Sequence, residues 1–306
     1  MSYVFLDKEP VEEAVRRVAQ EQIDQAMATV QDDAVGPHVT IHEIRKRCKE
    51  LRGLIRLVRP VFGDTYAFEN ARFRDAAGTL SEVRDATARI ETYEALMERY
   101  SDEVDRRAFG PIRRALTMHR HDLAETLDLD SRLAAFLDEM RQAQQRAATW
   151  SVEAEGFEAL AGGLQKTYRR GREAMEEAYA EPTAENFHEW RKRVKYHWYH
   201  TQLLQRIWPA LMEPWTEAFH DLADFLGDAH DLAIFRKAVL NHPERYGNIR
   251  SMSAFIGLLD RRRDELRCQA QPLGQRLYAE KPEALSHRWE RAWDAWRKET
   301  STSLPS

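Results

Sequence analysis

The stretch His42-Glu43-Ile44-Arg45-Lys46-Arg47-Cys48-Lys49 returns as His188-Glu189-Trp190-Arg191-Lys192-Arg193-Val194-Lys195, with six of eight positions identical. The offset is 146 residues. A second pair of blocks keeps it: Phe73-Arg74-Asp75-Ala76-Ala77 pairs with Phe219-His220-Asp221-Leu222-Ala223. The match continues as Leu80-Ser81-Glu82-Val83-Arg84-Asp85 and Leu226-Gly227-Asp228-Ala229-His230-Asp231. Two separate blocks at one offset mean that the chain is built from two related halves, about residues 1–150 and 151–306.

Both copies of the first block carry helical spacing. At about 100° per residue, His42, Arg45, Lys46, Lys49, Arg52 and Arg56 share one face of a helix, and Ile44, Cys48, Leu51, Ile55 and Val58 line the other. In the second copy His188, Arg191, Lys192 and Lys195 repeat the basic face, while Trp190, Val194, Thr201 and Leu204 turn inward. Thr40-Ile41-His42-Glu43 and Asn186-Phe187-His188-Glu189 have the form of a capping box, which predicts Thr40 as an N-cap and a histidine in the first turn of each helix.

The same periodicity runs through the rest of the chain. Hydrophobic residues make up 43% and charged residues 32% of 306, a balance suited to amphipathic helices that each bury one face. No stretch alternates as a strand does, so the expected class is all-α, and a sheet-based enzyme fold is disfavoured. The spacing predicts helices over about 9–31, 41–59, 67–99, 102–127 and 131–149 in the first half. In the second half it predicts 157–180, 187–207, 214–240, 252–270 and 282–298, with Gly and Pro between them. No low-complexity linker separates the halves, so they are expected to pack face to face as a single pseudo-two-fold body, one domain over 1–306.

The N-terminal Met1-Ser2-Tyr3-Val4-Phe5-Leu6-Asp7-Lys8-Glu9-Pro10 lacks the basic and apolar regions of a signal peptide, and no apolar run has the ~20 residues that cross a bilayer. Cys48 and Cys268 are too few for a disulfide framework. Together these predict a cytoplasmic protein with no membrane partner.

The formal net charge is −5, but its distribution matters more than its sum. From His42 to Arg59 seven Lys/Arg face only Glu43 and Glu50; Lys166, Arg169, Arg170 and Arg172 form a second basic cluster. Acids gather elsewhere, in Glu98–Asp105 and Glu173–Glu185. Arg offers a planar donor fork that matches phosphate oxygens, Lys a compact charge, and a helix N-terminus free N–H groups. Two like-charged helices facing each other would repel unless an anion lay between them. This points to a polyanion.

Other constellations carry less. His38, His42, His188, His220 and His230 could converge on a metal, but the surrounding guanidinium and ammonium groups oppose a divalent cation. Glu185-x-x-His188 has a di-iron spacing, yet the first half offers Val39 where a second Glu is needed. Tyr196-His197-Trp198-Tyr199-His200 reads as helix packing rather than a base-stacking platform. Asp85 and Asp231 could orient nearby basic side chains, or serve as plain salt bridges or caps.

The doubled His-Glu-x-Arg-Lys-Arg-x-Lys motif resembles the paired motif of the CHAD family, the conserved histidine α-helical domain. Tyr168-Arg169-Arg170-Gly171-Arg172 and the block-closing Asp85 and Asp231 are similar to that family too, and the resemblance runs over about residues 5–298. It implies a helical bundle of two pseudo-two-fold-related repeats of four to five helices around a basic central groove. It further implies non-catalytic binding of inorganic polyphosphate, with no cofactor and no metal, and a place at polyphosphate granules. Carried over residue by residue, the binding set is His42, Arg45, Lys46, Lys49, Arg52, Arg56, Arg169, Arg172, His188, Arg191, Lys192 and Lys195, supported by Arg84, Asp85, His230 and Asp231. Arg84 in one half is matched by His230 in the other, and Arg52 by Trp198, so the second basic face is the shorter. The acidic β-barrel signature that accompanies some members is missing, so a triphosphate hydrolase is not supported. The alternatives are a nucleic-acid binder using the same basic face and a histidine-dependent metal-binding or scaffold protein. A basic face alone does not distinguish one phosphate chain from another.

Overall fold

Apolar stripes at helical spacing must find partners, and here they do so helix against helix. The computed structural model describes residues 3–302; Met1 and Ser2, part of the N-terminal stretch read above, lie outside the described residues. The first half holds α1 (Val11–Gln31), α2 (Pro37–Leu57), α3 (Gly63–Gly78), α4 (Ser81–Arg99), α5 (Gly110–Thr126) and α6 (Leu129–Ala147). The second holds α7 (Glu158–Ala180), α8 (Ala184–Leu203), α9 (Pro209–Asn241), α10 (Ile249–Leu277) and α11 (Pro282–Thr302). No strand occurs among the described residues, and the protein is an all-α bundle. None of these helices is long and apolar enough to cross a membrane.

The packing order of the first half recurs in the second. α1 packs on α2 as α7 packs on α8; α2 meets α3 as α8 meets α9; α4 lies on α5 as α9 lies on α10; α6 covers α1 as α11 covers α7. The hydrophobic cores do not respect the halves. One joins α1, α2, α3 and α6 to α7, α8, α11 and the N-terminal part of α9, through residues such as Ile44, Leu54, Trp150, Tyr168 and Trp289. The other joins Tyr93 of α4, Tyr100 just after it and Ile112 of α5 to Phe235 of α9 and Phe255 of α10. Neither half encloses its own interior.

The helix boundaries correct several expectations. The helix expected over 67–99 is two, broken at Thr79 and Leu80. There Thr79 Oγ1 donates to Ala76 O (2.9 Å) and Ser81 Oγ to Gly78 O (2.7 Å), short-range bonds that compete with the helical ladder. The equivalent stretch of the second half, Phe225-Leu226, lacks those hydroxyls and continues as the unbroken 33-residue α9. Pro214 and Pro272, expected as breakers, lie inside helices. Beyond Pro272, Gly274 sits against Trp190 and Met175 and Leu277 is buried, so packing carries α10 past the lost hydrogen bond.

The capping boxes also fail. α2 starts one turn earlier, with Gly36 as N-cap and Pro37 in the first turn, and Thr40 is buried inside the helix. α8 is capped by Thr183, whose side chain accepts from Asn186 N (3.1 Å). Pro at a first helical position and Thr at an N-cap are strong start signals that win over the later boxes. His42 and His188 therefore lie in the second turn, and the free N–H groups of the helix ends are not beside them.

Two glycines set how closely the halves approach. A Cβ at Gly53 of α2 would lie 2.7 Å from Tyr199 Cβ of α8, and one at Gly163 of α7 would lie 1.8 Å from the backbone carbonyl oxygen of Leu57. Gly163→Ala should therefore cost about 3 kcal/mol or more through overpacking. Gly257→Ala, with nothing within 4 Å of the new Cβ, should gain roughly 0.5–1 kcal/mol from helix propensity and backbone entropy. Urea midpoints of the two variants measure the difference, and equal midpoints would show that α2 and α7 can separate freely.

Candidate functional site

The basic faces of α2 and α8 meet because the helices that carry them are in contact. Positions 53 and 199 are equivalent under the 146-residue offset, and they meet each other: Gly53 leaves the space that the Tyr199 side chain fills. Beside this point His200 Nε2 lies 3.1 Å from Gly53 O. The inward face of each helix is buried as the spacing predicts, with Ile44, Cys48, Leu51, Ile55 and Val58 on α2 and Trp190, Val194, Thr201 and Leu204 at α8.

On the outer side the helices bring equivalent cations together. Burial pushes the Lys49 ammonium down, helped by the charges of Arg45, Arg191, Lys195 and Arg84, to about 7. Lys49 is still open to solvent, so water screens part of this effect, but all four charged neighbours act in one direction. Lys195 is lowered by burial and by Arg191, against Asp224, Asp231 and Asp228, which draw it back. Arg45 is lowered mainly by burial, with Asp85 opposing.

Among the described residues, no ion pair within 4.0 Å involves Arg45, Lys46, Lys49, Arg52, Arg56, Arg191 or Lys195. Arg45 reaches a backbone carbonyl at Ala77, and Arg191 lies against α9 at Gly227, where a Cβ would stand 3.6 Å from its Nε. The Nε atoms of both Arg45 and Arg191, equivalent positions, are buried with no hydrogen-bond partner. Such donors cost free energy unless a ligand or water takes them.

The histidines occupy equivalent places with different neighbours. His42 is held below its usual range by burial and then by Arg84. His188 stacks on His230, ring centroids 4.3 Å apart, and is lowered by burial, Lys192 and Arg191. Burial, with Arg191 and His188, pushes His230 down to about 3. These rings are neutral near pH 7, ready to gain protons if an anion arrives. Arg84 pairs with Glu91 at 2.7 Å. Asp85 and Asp231 form no ion pair within 4.0 Å among the described residues; burial raises Asp231, with Arg191 and Arg84 opposing.

The remaining sequence-derived residues are engaged by other partners. Arg52 and Arg56 both donate to Asn70 Oδ1, at 3.2 and 2.7 Å, and Arg56 lies 3.8 Å over the Tyr196 ring. Arg172 pairs with Glu176 (3.3 Å), Lys192 with Glu189, and Arg169 is exposed on α7. The α7 residue that faces the second motif is Arg170, lowered by burial and then by Arg193 and Arg59, with Lys166 close to Arg59 as well. Arg59, Lys166, Arg170 and Arg193 thus form a neighbouring basic group. The i,i+4 spacing of Lys166 and Arg170 was the signal available for it. No group of three or more His, Cys, Asp or Glu is arranged to hold a metal ion among the described residues.

Known proteins give three findings. The model of the CHAD domain family matches residues 10–240. The solved structure of PptA from Streptomyces chartreusis is similar, with a TM-score of 0.63 at 15% identity, covering 89% of this chain and 100% of that one; this likeness is one of fold. No curated protein matches the sequence.

The depressed Lys49 gives a prediction whose sign follows from linkage. Its folded value of about 7 lies below the ordinary 10.5, so the unfolded chain binds more protons between them, and stability contributed by this group falls as pH drops through that window. Below about pH 7 the penalty is complete. Lys49→Met should raise the thermal midpoint of the unliganded protein, most at pH 7 and least near pH 10. A midpoint unchanged or lowered at pH 7 would mean that the ammonium is not crowded by its neighbours.

Proposed function

The chain belongs to the CHAD domain family, and from that premise we propose that it binds inorganic polyphosphate between α2 and α8, without transforming it. The observation that carries this reading is the pair of equivalent guanidinium groups, Arg45 and Arg191, each with a buried Nε lacking a partner, beside Lys49 and Lys195. A chain of phosphates offers one negative charge per unit and oxygens on every side. It would take the free donors of both helices and remove their mutual repulsion together. The meeting of equivalent positions 53 and 199 supports a pseudo-two-fold arrangement, the two halves gripping the chain from opposite sides of a basic groove. Arg59, Lys166, Arg170 and Arg193 would extend the contact along the chain. The family's association with polyphosphate, implied by the doubled motif, names the ligand among polyanions.

The test uses matched double substitutions. Lys46→Glu with Lys49→Glu, and Lys192→Glu with Lys195→Glu, should each weaken polyphosphate binding by about tenfold or more, because several charge-assisted contacts are lost. Arg276→Glu with Lys281→Glu changes the net charge equally, outside the motif, on exposed positions. A loss of similar size in all three variants would leave only long-range attraction. Labelled polyphosphate competed with DNA and RNA at fixed salt decides the ligand, and preference for either nucleic acid would replace this reading.

Binding should also depend on salt and pH. The observed constant should fall linearly on a log–log plot against salt, by about 0.7 per phosphate contacted, as for single strands. An anion raises the values of Lys49, His188 and His230, so the protein takes up protons on binding. Affinity should therefore rise as pH falls toward 6. Calorimetry in buffers of different ionisation enthalpy counts the protons; zero uptake, or tighter binding at high pH, would contradict the site.

A further inference from the structure

We propose that the chain carries a second anion site, a pocket for a compact phosphate anion formed by Arg89, His119, Lys237, His242 and Arg245, whose lining includes no residue of α2 or α8. The choice of phosphate rests on the function proposed above; the pocket itself does not. A cavity of about 350 Å³ opens between α4, α5, α9 and the short 3-10 turn Pro243–Arg245. α4 supplies Arg89, α5 His119, α9 Lys237, and the chain after α9 His242 and Arg245. Ala115, Ile234 and Ala238 wall it, and no Asp or Glu lines it.

The cations are poorly neutralised. Among the described residues, no ion pair within 4.0 Å involves Arg89 or Lys237; His242 and Arg245 reach only Glu244 on the same turn, at 3.6 and 3.8 Å. The Nε of Arg89 is buried without a hydrogen-bond partner. His119 is held below its usual range by burial and by Arg89 and Arg245, with Asp122 opposing. The buried Tyr246 lies near the same two arginines. Three permanent cations from three segments around one cavity, one of them with an unused buried donor, match a compact ion of several phosphate oxygens. The volume is in the range of small-molecule pockets.

The pocket is separate from the α2–α8 cluster. A neighbouring cavity, about 130 Å³, shares Arg89 and Ile234 with the pocket but is also lined by His230, Asp85 and Asp231. Two carboxylates there repel a phosphate chain, so the molecule presents two sites and not one continuous track. The repeat does not predict this pocket, since the counterpart of Arg89 is Phe235.

Tripolyphosphate, a compact run of three phosphates, tests the proposal by calorimetric titration of the full chain at about 50 mM salt, where phosphate contacts are strong. The unmodified protein should take two ions per chain. Arg89→Gln with Lys237→Gln should take one, the lost site at least tenfold weaker, and Lys49→Gln with Lys195→Gln should also take one. A titration of the Arg89/Lys237 variant equal to that of the unmodified protein overturns the pocket, whatever the α2–α8 variant does. Loss of binding in the Arg89/Lys237 variant with an unchanged Lys49/Lys195 variant upholds the pocket and removes the α2–α8 reading. No binding to the unmodified chain overturns both. Should the double variant melt lower than its parent, Lys237→Gln alone, at an exposed position, is read instead.

Discussion

The rest of the molecule depends on one close approach, that of α2 to α8 at Gly53 and Tyr199. It brings two helices of like charge into contact, which a folded chain ordinarily avoids. Two like charges about 4 Å apart cost ~1 kcal/mol in water and ~4 kcal/mol near a protein surface. The approach is held from beneath. Ile44, Cys48, Leu51 and Ile55 on one helix and Trp190 and Val194 on the other are fully buried in one shared core. Apolar burial at ~25 cal/mol per Å² over these side chains is large enough to hold the cations where electrostatics alone would part them.

This arrangement explains why the basic residues divide into two kinds. Those beside an acid, such as Arg47 with Glu43 and Glu50, or Arg193 with Glu189, stabilise the folded chain by themselves. Those without one, Arg45, Lys49, Arg191 and Lys195, are left with unused donors or lowered proton affinity. A protein with more acids than bases could have neutralised them. Asp224, Asp228 and Asp231 come near Lys195 without pairing with it, which tempers the charge and leaves the donors open.

The halves have also diverged in ways that matter at the site. Arg84 keeps a permanent charge beside His42, while its counterpart His230 stacks on His188 as a neutral ring. Gly53 and Tyr199 could not both be large, nor both be small, without either a clash or a gap. α3 and α4 break where hydroxyls take the ladder's acceptors, while α9 runs through and reaches into both cores. The two basic faces are thus similar in sequence while the groups beside their histidines differ.

The duplicated block, its helical spacing and the opposition of Ile44 and Cys48 to Arg45 and Lys49 were legible in the sequence, because periodicity and repetition are properties of the chain alone. From them came the all-α class, the basic faces and the family. The start of α2 was not legible, since Thr40 and Pro37 each signal a helix start and only the packed structure shows which prevails. The resemblance points to Arg169 and Arg172, and Arg170 is the α7 residue that lies near Arg193 of α8, a matter of the rotation of α7 about its axis. The pocket around Arg89 gathers residues from α4, α5, α9 and the following turn with no counterpart in the repeat. Tertiary structure alone decided these, because which residues meet across helices depends on how the helices lie on one another, and no local pattern records it.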